Sequence, residues 1–404
     1  MIVKRNDQTR QAVRRDILVV SRAYLPRIGG IEEYVYHRCL QEPDRLIMLA
    51  AAWPGDRQFD RQQSFPIYRW PALDHVHANP IVSGLAKLVG LTALLFAALR
   101  LFARYRYRYI EWGHGYDSSV LWILSVILPT NTIVYLHGHD LIGALRRPLH
   151  KWFLKKSITR SQAAVCNSQF TRDHLKQHLD DQVATHIIHP CVRPGRFGQD
   201  AEAGSRAQNR HRIRQLLGIS DDAIVMLTVG RLVRRKGIDR LIRLVPAVLQ
   251  TDIDFHYVVC GAGDQSTSLK ALVEESKLDG RVHFMGEVSD RELAAFYAAC
   301  DLVAMVTYFD RENDSIEGYG TVYSEAGYFQ KPVLAADAGG VRDVVRHGCN
   351  GLLVDPLQPD DVLGALLELC RNADLRFELG KNGKQLAARE LDFSAPYRGM
   401  NGGG

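Results

Sequence analysis

From Asp16 onward the chain alternates short apolar runs with stretches in which apolar residues recur every three or four positions. The run Ile17 to Val20, the turn Pro26-Arg27-Ile28-Gly29-Gly30 and the helically spaced Glu32 to Leu40 predict a strand, a glycine turn and a helix. Strand-like runs follow at Leu46 to Ala50, Tyr109 to Trp112, Ile133 to Leu136, Ala163 to Cys166 and His186 to His189. Such alternation is the mark of a parallel sheet with helices on both faces.

Residues 193 to 222 break the pattern with Pro194, Gly195, Gly198, Gly204, Ser205, an arginine cluster and Asp221-Asp222, a composition suited to an inter-domain connection. The alternation then restarts. Strands are predicted at Ile224 to Val229, Phe255 to Cys260, Val282 to Phe284, Leu302 to Val306, Pro332 to Ala336 and Gly351 to Val354. Helices are predicted at Ile238 to Gln250, Ser268 to Lys277, Arg291 to Ala299, about Gly320 to Tyr328 and from Asp360. The fold class is therefore α/β, with two doubly wound domains in tandem: 1–195, a linker region 196–222, and 223–404.

The segment Ile81 to Ala103 is the most apolar in the chain, but Lys87 and Arg100 leave only Leu88 to Leu99 uncharged between them. A span of a ~30 Å hydrocarbon core needs about 20 residues. Arg104-Tyr105-Arg106-Tyr107-Arg108-Tyr109 follows directly. Two readings stand: a membrane-surface helix with a cationic, aromatic flank, or a buried helix of the first domain with a solvated edge.

A length of 404 residues with 46% hydrophobic and 24% charged residues excludes disorder as the main state and suits two domains. Seven scattered cysteines without a CxxC pair fit a reducing compartment. The charged first fifteen residues and the brevity of Ile17 to Val20 do not make a signal peptide, so the expected location is cytoplasmic. Net charge is +6, divided as +11 for residues 1 to 200 and −5 for the rest. The basic half calls for an anionic partner: acidic lipid headgroups, phosphorylated substrates or nucleic acid. Nucleic acid fits least, because no zinc-finger spacing, RNP-type aromatic motif or helix-turn-helix signature accompanies the charge.

The most informative stretch is Ser315-Ile316-Glu317-Gly318-Tyr319-Gly320-Thr321-Val322-Tyr323-Ser324-Glu325. Two glutamates flank a glycine turn that opens a helix, and free backbone N–H groups at such a start bind phosphate. The carboxylates repel phosphate and suit the hydroxyls of a sugar or ribose. In Gly230-Arg231-Leu232-Val233-Arg234-Arg235-Lys236-Gly237, Arg231 and Lys236 are placed to neutralise a diphosphate leaving group. Gly29-Gly30 allows a ligand to touch backbone at the carboxyl end of the first strand, but the absence of GxGxxG disfavours a nicotinamide dinucleotide. His137-Gly138-His139-Asp140 ends another strand, where histidine and aspartate can orient an acceptor hydroxyl or cap the loop. Asp252-Ile253-Asp254 has the form of a DxD metal motif, but its place between a helix and the start of a strand reads as a turn. No metal and no other cofactor is expected.

In this order, these residues resemble retaining glycosyltransferase family 4, the GT-B-fold nucleotide-sugar transferases. The resemblance covers nearly the whole chain and is strongest from Ile224 to Pro356. The family's "E, seven residues, E" motif matches Glu317 to Glu325, and its "GR, K-G" motif matches Gly230, Arg231, Lys236 and Gly237. Gly261-Ala262-Gly263, Gly286-Glu287-Val288, Lys331-Pro332-Val333, Gly339-Gly340 and Asn350 to Val354 are also family-like. Gly29-Gly30-Ile31-Glu32, His137-Gly138 and Asn167-Ser168 match more loosely.

The resemblance implies two Rossmann-like domains facing each other across a cleft. It implies that Glu325 binds ribose hydroxyls and Glu317 the donor sugar. Arg231, Lys236 and the amides of Gly320, Thr321 and Val322 would hold the diphosphate, with Gly29 and Gly30 approaching from the other domain. Gly286 and Val288 would lie near the base and His137 at the transferring sugar; Asp140, from its place at the strand end alone, is expected on the acceptor side or as a loop cap. It further implies transfer with retention, the leaving phosphate taking the acceptor proton, and no metal. Three departures stand out: Gln41-Glu42-Pro43-Asp44 lacks the usual glycine-histidine turn, Asp343 replaces a glutamate, and the loop Phe309 to Ile316 is unusually charged.

The leading expectation is a glycosyltransferase on the inner face of the cytoplasmic membrane, peripherally bound. It would move a sugar from a nucleoside diphosphate to a cell-envelope acceptor: lipid-linked saccharide, lipopolysaccharide or exopolysaccharide. The alternatives are a catalytically inactive nucleotide-sugar-binding partner subunit and an epimerase on the same fold.

Overall fold

The computed structural model describes residues 15–72, 80–198, 203–310, 312, 315–388 and 391–398. The charged residues before Arg15, Arg311 and Asp314 of the charged loop, and the glycine-rich end lie outside them. Two wholly parallel sheets form. The first is built from β1 (Ile17–Ser21), β2 (Leu46–Ala51), β3 (Ile67–Trp70), β4 (Tyr109–Trp112), β5 (Asn131–Leu136), β6 (Ala163–Cys166) and β7 (Thr185–Ile187), in the order β3-β2-β1-β4-β5-β6-β7. Its helices are α1 (Gly30–Gln41), α2 (Asp56–Asp60), α3 (Pro80–Tyr105), α4 (Ser118–Ile127), α5 (His139–Leu145), α6 (Pro148–Arg160) and α7 (Gln169–His178).

After α8 (Ala203–Leu217), the second sheet contains β8 (Ile224–Val229), β9 (Phe255–Cys260), β10 (Val282–Gly286), β11 (Leu302–Met305), β12 (Val333–Ala336) and β13 (Gly351–Val354), in the order β10-β9-β8-β11-β12-β13. Its helices are α9 (Ile238–Leu249), α10 (Ser266–Glu275), α11 (Asp290–Ala299), α12 (Thr321–Tyr328), α13 (Pro359–Arg371) and α14 (Ala373–Ala387). Both sheets reverse their winding in the middle, at β1/β4 and at β8/β11. In open α/β sheets ligands bind beyond the carboxyl ends of the strands at such a reversal. Gly29-Gly30 follows β1, the Arg231 loop follows β8 and the Glu317 loop follows β11, so topology alone gathers the predicted residues.

The inner strands are largely apolar and buried on both faces, as parallel strands between two helical layers must be, while the edge strands β3, β7 and β10 are mostly half-buried. The helices contribute stripes: α9 buries Ile238, Leu241, Ile242, Val245 and Val248, a helical period of one face. Three differences from the sequence reading have physical causes. Strand β3 escapes notice because it is a half-buried edge strand carrying Arg69, which pairs with Asp60 at 2.6 Å. Most of the predicted linker is helix α8, which lies against α11 and buries Ile213 in the second domain's core. Residues 391–398, assigned to the second domain, return to the first, where Phe393 and Tyr397 join the core beside β1, β4 and β5. There Tyr397 Oη donates to the buried Glu111, which also accepts from Arg38 at 2.6 Å and Tyr135 at 2.9 Å.

Helix α3 is longer than its uncharged stretch suggests. Leu94, Ala98 and Leu101 sit in the core of the first domain, as the buried-helix reading expects, whereas Ile81, Leu85, Leu88 and Val89 are exposed.

Candidate functional site

Gly230 and Gly237 bracket the cationic loop after β8, with φ of 151° and 67°. Gly237 caps α9, and a Cβ there would collide with the Val306 carbonyl. Only glycine accepts both the left-handed conformation and that approach. The tight turn Arg234–Lys236 therefore presses against the end of β11 and aims Lys236 at the loop leading to α12.

There Glu317 Oε2 accepts from Lys236 Nζ at 2.6 Å and from Arg235 Nη1 at 2.8 Å, with all three side chains no more than 12% exposed. Burial alone would push the Glu317 carboxyl up; Lys236 and Arg235 outweigh it and hold the pKa at about 2. Burial pulls the Lys236 ammonium down to about 8 against the attraction of Glu317. At neutral pH both are charged. Arg235, absent from the sequence reading, contributes half of this clamp; its signal was the run of three cations Arg234-Arg235-Lys236.

Next to the clamp, α12 opens at Gly320 in a left-handed conformation, with no side chain capping its first turn. The first amides of Thr321 and Val322 have no partner within the helix, and a Cβ on Gly320 would lie 3.5 Å from Glu317 Cγ, which sets this helix start beside the clamp. Arg231 is exposed, and its charge acts on Glu32, Tyr116 and His139 of the first domain. A Cβ on Gly30 would lie 3.3 Å from Thr321 Oγ1, which places Gly30 opposite the α12 N-terminus across the cleft. The Gly29 position is crowded by the Glu32 carboxylate, itself buried and 3.1 Å from Arg27. Burial raises the Glu32 pKa.

Glu325 lies inside α12, 5% exposed. It accepts from Arg196 Nη1 at 2.6 Å and Tyr297 Oη at 2.8 Å. Arg196 belongs to the connection between domains and also pairs with Asp290 at 3.1 Å. Neither partner was legible beforehand, since the spacing from 196 to 297 to 325 carries no period. Gly286 ends β10 at φ 70° and accepts from the Gly261 amide at 2.7 Å; Val288 packs on the second domain's core just beyond it.

On the first domain, the sequence reading needs one correction. Asp140 is fully buried, and its carboxylate accepts from the amides of His137 (2.9 Å), Leu141 (2.9 Å) and Gly115 (2.6 Å). It ties loops together and presents nothing to an acceptor. His137 is 6% exposed, its Nε2 at 2.8 Å from the Gly113 carbonyl and its ring edge-on to Tyr34. The neighbouring His139 is the residue that looks toward the second domain: its Nδ1 is buried with no hydrogen-bond partner among the described residues, and Arg235, Arg231 and Glu317 act on its ring.

The two domains meet tightly at Gly138 and Gly318. A Cβ on Gly318 would strike the His137 carbonyl, and one on Gly138 would come within 2.8 Å of Gly318 Cα. Gln169 donates its amide to Asp343 across the same seam at 2.5 Å. The departure from glutamate at 343 thus keeps an acceptor at the domain contact. A cavity of about 550 Å³ lies behind α12, lined by His189, Tyr319, Tyr323, Ser324, Asp343 and Arg346; it contains none of the cleft residues. Asp254 pairs with Arg281 at the start of β9, a turn as expected.

This geometry sets a cationic clamp, the uncapped start of α12 and two buried carboxylates, Glu317 and Glu325, around one region of the second domain. The family profile described as "Glycosyltransferase Family 4" matches residues 28–196, and "Glycosyl transferases group 1" matches residues 209–386. A GDP-mannose-dependent alpha-(1-6)-phosphatidylinositol monomannoside mannosyltransferase of Mycobacterium tuberculosis is 25% identical, over 93% of this chain and 97% of its own. A D-inositol 3-phosphate glycosyltransferase of Nocardioides is 34% identical, over 55% of this chain and 49% of its own. Among solved structures, HepE of Anabaena in complex with UDP superposes with a TM-score of 0.73 at 21% identity, covering 95% of this chain and 98% of that one. Sucrose-phosphate synthase of Thermosynechococcus elongatus gives 0.74 at 20%, covering 95% and 96%. The chain belongs to glycosyltransferase family 4, with the GT-B fold and a nucleotide-sugar donor.

Proposed function

We propose that this enzyme transfers a hexose, with retention at the anomeric carbon and without a metal, from a nucleoside diphosphate to a lipid-linked or polysaccharide acceptor of the cell envelope at the cytoplasmic leaflet. The observation that carries the reading is the Glu317–Lys236–Arg235 clamp beside the open N-terminus of α12. Arg231, Arg235, Lys236 and the α12 amides together supply the positive field that a departing diphosphate needs, which is the part a metal plays elsewhere. Glu317 takes hydroxyls of the donor sugar, Glu325 those of the ribose, and Gly286 and Val288 flank the base.

In the reaction the bond from the anomeric carbon to the diphosphate oxygen breaks. The acceptor oxygen bonds to that carbon on the same face, and its proton passes to the leaving phosphate oxygen. His137, held by Gly113 and Tyr34, lies by the sugar, with His139 beside it. The lipid acceptor is supported by the mannosyltransferase relatives, whose named substrate is a phosphatidylinositol mannoside. The intact clamp and these relatives disfavour an inactive subunit. The test is transfer to membrane extract followed by NMR of the new linkage, with and without EDTA. An α-configured product from an α-configured donor, unaffected by EDTA, is expected; inversion or loss of activity with EDTA refutes the respective part.

A further inference from the structure

Helix α3 leaves the body of the first domain with an apolar face uncovered. Ile81, Leu85, Leu88, Val89 and Phe96 are 53 to 72% exposed. At 100° per residue they fall on one side of the helix, while Leu94, Ala98 and Leu101 fall on the side buried in the core. The stripe continues onto α6, which α3 meets where Lys87 Nζ lies 3.1 Å from His150 Nε2; there Leu149 and Trp152 are 65% and 45% exposed.

The charge of the segment that carries this face is one-sided. Residues 80–160 contain eleven Lys and Arg against three carboxylates. All eleven cations are exposed. The three carboxylates are withdrawn: Glu111 and Asp140 are fully buried, and Asp117 is 4% exposed and paired with Arg22 at 2.8 Å. This stretch therefore shows water a row of uncovered apolar side chains and only positive charge.

We propose that the exposed face of α3, with Leu149 and Trp152 of α6, is the surface by which the protein docks on an anionic bilayer, lying in the headgroup region without crossing it. A second copy of the chain would bring cation against cation, and a nucleic acid would leave the apolar stripe in water. An anionic lipid surface satisfies both features at once. The helix lies along the surface rather than across a bilayer in this reading: although 25 residues from Ile81 to Tyr105 are long and apolar enough to span, Leu94, Ala98 and Leu101 of its second half are packed in the domain core. The proposal rests on the lipid-acceptor reading above, because docking here holds the first domain at the leaflet where such an acceptor sits.

The test is flotation of the full chain with vesicles of phosphatidylcholine alone or with about 30% phosphatidylglycerol, at low salt and in 1 M salt. Wild type should float with the anionic vesicles at low salt, and at least tenfold less in their absence. L85E/L88E and, separately, R100E/R104E should each lose that binding at least tenfold while keeping the wild-type unfolding midpoint and its shift with donor nucleotide. Equal flotation of variants and wild type, or of wild type with both vesicle types, overturns the proposal. So does a wild-type dimer that L85E/L88E converts to monomer without any vesicle binding. Flotation with no response to any nucleotide sugar would leave the docking surface standing and remove the transferase reading.

Discussion

Replacing Glu317 by glutamine keeps the side chain's shape and removes its charge from between two buried cations. In the wild type its Oε2 lies 2.6 Å from Lys236 and 2.8 Å from Arg235. Removing one member of a buried ion pair costs about 3–5 kcal/mol, because the surviving charge keeps its desolvation penalty and loses its partner. For a domain of this size about 2–4 °C of unfolding midpoint accompany each kcal/mol, so Glu317→Gln should lower the midpoint by roughly 6–20 °C.

The pH dependence carries the finer test. Lys236 titrates at about 8, with burial lowering it and Glu317 raising it. Donor affinity in the wild type should therefore fall as pH rises through about 8, where the ammonium is lost. Without Glu317 the same loss should set in at lower pH. At the acid end the sign reverses. Glu317, held at about 2, contributes stability that is present above the ordinary carboxylate range and lost as pH falls toward that value. The variant lacks this acid limb. Calorimetric titration of a nucleoside diphosphate from pH 6 to about 9, with thermal scans from about pH 3 to 7, reads both effects. A variant with the wild-type midpoint and an unmoved affinity profile would refute the argument that the clamp is one buried electrostatic unit.

Three further outcomes follow from the same geometry. Arg196→Ala leaves Glu325 buried with Tyr297 alone, and should cost about 3–5 kcal/mol in urea unfolding; it should weaken nucleoside diphosphate binding while sparing inorganic diphosphate, and equal weakening of both would contradict a ribose role for Glu325. Gly318→Ala puts a methyl group against the His137 carbonyl, so the domains cannot meet: kcat should drop at least about tenfold with the midpoint nearly unchanged, a loss of about 1.4 kcal/mol in barrier terms, and an unaltered kcat would show the seam is unused. Tyr397→Phe removes one hydroxyl donor from the buried Glu111 and should cost about 1.5–3 kcal/mol; an unchanged urea midpoint would show that the returning tail does not strap the first domain.

What the sequence disclosed, and what it withheld, divides along physical lines. Largely buried parallel strands such as Ile224–Val229 and Phe255–Cys260 announce themselves as apolar runs, and the glycines at 230, 237 and 320 mark turns that no other residue forms. Edge strand β3 stays hidden because half of Ile67–Trp70 faces water. Helix α8 reads as a linker in sequence because most of its fifteen residues are polar and its few apolar contacts, such as Ile213, are too sparse for a period. At the site, Lys236 and Glu317 were legible from local spacing, whereas Arg196 and Tyr297 reach Glu325 only through the tertiary fold. Asp140 differs from its sequence expectation because a loop carboxylate that binds three amides looks, in sequence, the same as one that faces a substrate.

The central claim, a nucleotide-sugar site between the two sheets, is tested most directly by thermal unfolding of wild type and Glu325→Ala against UDP-, GDP- and ADP-sugars. A donor at about 100 times its dissociation constant adds roughly 2.7 kcal/mol. The account predicts that one nucleotide class stabilises the wild type by this amount and the variant by much less. Stabilisation by none of the donors, or of both proteins equally, would contradict it.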